Sequence, residues 1–100
     1  MQPADYIRKL VEAIKAVHGA EARHVATEPV TEVFEGELAW TGLVEVFDLT
    51  GHPKAKRCYA WGFIEGGTLR STAVLEIPPV DSPSSAVTVA IAAKSRANKP

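Results

Sequence analysis

RCYAWGFIE, residues 57–65, alternates small and large side chains. In a β-strand successive side chains point to opposite faces, so Cys58, Ala60, Gly62 and Ile64 share one side, and Arg57, Tyr59, Trp61, Phe63 and Glu65 the other. One face is small and smooth; the other is aromatic. A helix packs closely on a surface of small residues, which predicts a helix over the first face and makes Cys58 a core residue. The preceding stretch also carries two partly apolar faces, Leu38, Trp40, Val44 and Val46 on one and Leu43, Phe47 and Leu49 on the other.

Outward from this strand the same period of two persists, interrupted by Glu-Gly, Thr-Gly-His-Pro and Glu-Gly-Gly, each a turn signal. The pattern predicts an antiparallel meander of about four strands, near Arg23–Phe34, Leu38–Leu49, Lys56–Ile64 and Leu69–Ile77. Pro29 cannot donate to a ladder, so the first strand must be an edge, or be bulged or broken there.

Before the strands the period is helical. Ile7, Leu10, Val11, Ile14 and Val17 recur at three- and four-residue intervals and form one apolar stripe. Pro3 suits the first turn, Asp5 complements the positive helix end, and Gly19 is the expected stop, giving a helix over Pro3–His18. After the strands, Ile77-Pro-Pro-Val-Asp-Ser-Pro ends the sheet. Residues 83–95 then fit either a helix started at Ser82-Pro83 or a strand built on Val87, Val89 and Ile91; a short helix is favoured. Residues 94–100 read as a frayed polar end. The expected architecture is a single α+β domain over residues 1–100, one sheet carrying helices on one face.

The totals agree with one domain. Of 100 residues, 46% are hydrophobic and 23% charged, the range of an ordinary globular chain. Eleven basic against twelve acidic residues give a net charge of −1, which offers no whole-protein attraction for polyanions. Cys58 is the single cysteine, so no disulfide within the chain can form, and the N-terminal residues lack the pattern of a secretion signal. A cytoplasmic location follows as the expectation, with no membrane-spanning segment.

Tyr59, Trp61 and Phe63 in register would expose an apolar strip larger than small monomers carry, so something must cover it: the C-terminal segment, a second copy of the chain, or a ligand. The function expected is therefore binding or association. Tyr59, Trp61, Phe63, Phe47 and Arg57 are the candidate interface or shallow cleft for a small apolar or aromatic ligand, in a homodimer. The rival is a small acid–base enzyme with a pocket around Asp48, His52 and Glu45, since a carboxylate can orient an imidazole and a buried carboxyl can accept a proton. His52 also reads as a plain turn residue beside Pro53. Cys58 as an activated nucleophile lacks an oxyanion donor, and the histidines with Cys58 show no zinc spacing, so neither metal nor cofactor is expected. Lys54, Lys56, Arg57 and Arg70, interleaved with Tyr59 and Trp61, would suit single-stranded nucleic acid if they clustered at one end of the hairpins, a class disfavoured by the charge balance.

WTGLVEVFDLTGHPKAKRCYAW, from Trp40 to Trp61, with LEIPPVDSP from Leu75, resembles small uncharacterised bacterial proteins, some carried on mobile gene cassettes. The resemblance carries no catalytic motif. It implies a bacterial cytosolic origin and a homo-oligomer.

Overall fold

The computed structural model describes residues 3–97. Helix α1 (Pro3–His18) leads into strands β1 (Glu21–Phe34), β2 (Glu37–Thr50), β3 (Arg57–Glu65) and β4 (Thr68–Leu75), and helix α2 (Pro83–Ala97) follows. The strands form one antiparallel meander in the order β1-β2-β3-β4. The fold is thus α+β, as the periodicities predict.

Local chemistry accounts for the boundaries. Gly19 ends α1 at φ +69°, with its N–H donated to the Lys15 carbonyl at 2.9 Å. Glu35-Gly36 and Gly66-Gly67 all have positive φ, the backbone of tight two-residue hairpin loops whose twist matches the strands they join. The ambiguity at residues 83–95 resolves as helix because the capping residues are complete. Ser82 Oγ accepts the Ser85 N–H at 3.1 Å while Ser85 Oγ accepts the Ser82 N–H at 3.0 Å, and Pro83 opens the first turn without a missed donor. Those terminal bonds outweigh the modest strand preference of Val87, Val89 and Ile91. The helix continues through 94–97, which the sequence had placed in a frayed end; residues 98–100 lie outside the described residues.

Both sheet faces are covered, which corrects the expectation of helices on one face. Leu10 and Ile14 of α1 pack on Phe47, Cys58 and Ala60. On the opposite side, Ala86 and Val87 of α2 join Val30, Val44, Val46, Tyr59, Trp61 and Val80. The cause is the second apolar face itself: α1 cannot reach it, and the chain leaving β4 through Val80 brings α2 across it.

β1 is an edge strand, the first of the arrangements that Pro29 allows. The Leu49 N–H is donated to the Lys56 carbonyl, so by alternation Leu43 turns its polar backbone toward β3, and Pro29, opposite Leu43, points its ring nitrogen to the outer edge. At the other edge, His18 Nε2 donates to the Ala73 carbonyl at 3.1 Å and covers part of β4.

The two hairpins are joined by a short seam. Four residue pairs, Asp48↔Arg57 to Glu45↔Ala60, link β2 to β3, and beyond them the strands fork. An aromatic ring lies over a glycine on each side of that fork. A Cβ on Gly42 would stand 3.0 Å from the Trp40 ring, and one on Gly62 only 2.8 Å from the Tyr6 ring. Trp40 and Trp61 meet at 5.6 Å between centroids, tilted by 56°.

Candidate functional site

The aromatic row does not form an open surface. Tyr59 and Trp61 are 2% and 5% exposed beneath α2. The Tyr59 hydroxyl donates to the Glu76 carboxylate, and burial first, then this bond, holds its phenol above the usual range. Phe63, further along the strand, is 38% exposed. Phe47 lies on the opposite face against α1. Arg57 is an exposed residue paired with Asp48 at 3.2 Å, a bond that raises its already high pKa. Four of the five residues grouped from sequence therefore share the α2 side of β3, with Arg57 at the strand's start beside Tyr59, and Phe47 alone lies on the other face. The aromatic side keeps a cleft of about 350 Å³ where Arg57, Tyr59 and Glu76 meet Asp81 and Pro83, and a groove of about 280 Å³ where Trp40, Trp61 and Phe63 meet Ile91 and Lys94.

The acid–base grouping is divided as well. His52 Nδ1 accepts the N–H groups of Lys54 and Ala55 at 3.1 and 2.9 Å, so the imidazole organises the β2–β3 turn. Asp48 accepts from Arg23 at 3.1 Å and from Arg57, bridging three strands at the surface. Glu45 alone of the three is buried, at 4% exposure, and it faces α1 rather than the aromatic strip.

Around Glu45 the structure builds a site. His24 Nε2 donates to its Oε1 at 2.8 Å, and the Thr27 hydroxyl donates to the same oxygen. The His24 ring leans on Phe47, with centroids 5.4 Å apart. These groups form the floor of an open cleft of about 490 Å³, walled by Pro3, Tyr6 and Ile7 of α1 and by Leu43 of β2. The cleft exists because the sheet forks there. By alternation the Gly62 N–H points toward β2, past the last ladder pair, and it is donated to the Tyr6 hydroxyl oxygen at 2.7 Å instead. Tyr6 thus stands in for a missing strand partner. Its phenol is raised by burial, lowered by the Gly62 N–H, and raised again by the Glu45 charge.

The sequence offers His24 only as a zinc ligand without the right spacing, and its pairing with Glu45 is hidden for a physical reason. In a regular strand His24 and Thr27, three positions apart, would face opposite ways. The register slips at Val25, with His24 opposite Phe47 and Ala26 opposite Val46, and this bulge turns His24 and Thr27 toward the same carboxylate. Nothing in the residues around Val25 announces that slip.

Cys58 is fully buried, and desolvation pushes its thiol up to about 12, the opposite of an activated nucleophile. The basic residues do not gather. Lys54, Lys56 and Arg57 lie at the β2–β3 turn, whereas Arg70 sits opposite Phe63, six residues along β3, about 20 Å away, and contacts Glu65 at 3.5 Å. Among the described residues no three metal-ligating side chains converge, and no helix is long and apolar enough to cross a membrane. No family model, curated protein or solved structure matches the chain.

Proposed function

We propose that the protein is a small-molecule binding domain whose site is the cleft between α1 and the forked sheet. The observation that carries this is a buried carboxylate, Glu45, at the floor of an apolar cavity of about 490 Å³, a size and composition suited to small ligands. A few placed polar groups within apolar walls fix orientation, while the walls supply most of the affinity. The expected result is that amide NMR signals of residues 6, 7, 24, 27, 43 and 45 shift with a panel of substituted benzenes. Leu43→Trp, which fills the cleft from a side chain 56% exposed, should abolish those shifts with little loss of stability. Shifts scattered over the surface, or unchanged in Leu43→Trp, would refute the site.

Self-association is the second reading, favoured by the exposed apolar side chains of Val33, Leu38, Phe63 and Ile64 at the forked end of the sheet. In this version Phe63, rather than Tyr59 or Trp61, contributes to a homodimer contact. Light scattering is expected to give a dimer that Ile64→Lys converts to monomer; a monomeric wild type at tens of micromolar ends it. The unpaired, buried Cys58 is in keeping with a reducing cytoplasm.

A further inference from the structure

Resting on the cleft described above, we infer that its ligand is an apolar molecule bearing a protonated amine, held by the free oxygen of Glu45. The carboxylate is 4% exposed and uses one oxygen, Oε1, for both His24 and Thr27. Oε2 takes no hydrogen bond from the described residues, yet no buried side-chain oxygen among them is sealed off without a partner. Oε2 therefore opens to the cleft that Glu45 lines.

The surroundings favour a cation. No lysine or arginine lines the cleft, and His24 is the lining group that can carry positive charge; four arginines are drawn to carboxylates elsewhere, Arg8 to Asp5, Arg23 and Arg57 to Asp48, Arg70 to Glu65. Asp5 in the first turn of α1 also offsets the positive helix end near Pro3. The Tyr6 oxygen, already accepting from Gly62, keeps a second lone pair, and its ring can meet an ammonium group face-on. An amine brings several N–H donors to these acceptors; a carboxylate ligand would face Glu45 with like charge. Removing a carboxylate from water is costly unless its oxygens are paired; His24 and Thr27 satisfy Oε1, and the ligand's ammonium group supplies the donor for Oε2. Pro3, Ile7 and Leu43 then bury the ligand's apolar body.

Benzylamine, benzyl alcohol and benzoate share one ring and differ in the head group, so they separate head-group recognition from cleft filling. At neutral pH, NMR titration of the wild type is expected to show benzylamine shifting the amides of residues 6, 24 and 45 and binding at least about tenfold tighter than benzyl alcohol, with benzoate weakest. Glu45→Gln keeps the shape and an acceptor oxygen and should bring benzylamine down to the affinity of benzyl alcohol. Equal binding of all three probes at these residues would overturn the amine inference and leave the cleft as a binding site. No shift from any probe would overturn both. The comparison in wild type stands even if Glu45→Gln fails to fold.

Discussion

Trp61→Ala is expected to lower the unfolding free energy by about 3–5 kcal/mol, the usual cost of emptying a large aromatic site in a core. The ring is 5% exposed, meets Trp40 in a tilted contact, and is packed with Val44, Val46 and the α2 residues Ala86 and Val87. Phe63→Ala, two positions along the same face but 38% exposed, should cost about 1 kcal/mol or less. Urea unfolding followed by circular dichroism measures both, with an unchanged slope showing that stability alone has moved. The ratio between the two variants is the discriminating quantity. If Trp61→Ala were as mild as Phe63→Ala, α2 could not be seated on the aromatic face.

Gly62→Val is expected to destabilise by about 2–4 kcal/mol, although valine ordinarily favours strands by up to about 1 kcal/mol over poorer residues. The new Cβ would meet Tyr6 Cε1 at 2.8 Å and Leu69 Cδ1 at 3.2 Å. Overpacking of this kind costs about 1–3 kcal/mol, and moving Tyr6 also leaves the Gly62 N–H without its acceptor, about 1 kcal/mol more. The steric and hydrogen-bond losses exceed the strand preference. A double-mutant cycle makes the cause visible: in a Tyr6→Ala background, Gly62→Val should become neutral or stabilising. Additive losses in the two variants would mean that Tyr6 does not occupy the fork.

Legibility in the sequence followed the range over which each signal acts. The stripe Ile7-Leu10-Val11-Ile14 with Pro3 and Gly19 gave α1 to the residue, since capping and periodicity are local. Alternation through Cys58-Tyr59-Ala60-Trp61 sorted two faces that the structure keeps apart, and Pro29 narrowed β1 to an edge, a bulge or a break, of which the structure takes the edge. Two kinds of information were not local. Which face α2 would cover depends on how the chain turns after Ile77, and strand periodicity carries no such direction. The pairing of His24 with Glu45 depends on a bulge at Val25 and on a partner 21 residues away. Glu45 stands out in the sequence as a carboxyl that burial would turn into a proton acceptor; of its wall residues, Ile7 is accounted for by the apolar stripe of α1, Pro3 by the first turn, and Tyr6 carries no signal of its own.

The placement of α2 has a consequence for synthesis. Tyr59, Trp61 and Val46 wait on a face whose cover, Val80 to Val87, is translated after the whole sheet. At ribosomal speeds of about 5–20 residues per second, the segment from the end of β4 to the end of α2 is completed about one to four seconds after the last strand. α1, by contrast, is present before the first strand begins. The cover of one face is thus made before the sheet and the cover of the other after it, which leaves Tyr59 and Trp61 adhesive until α2 docks and makes that interval the one most open to chaperones and to wrong partners.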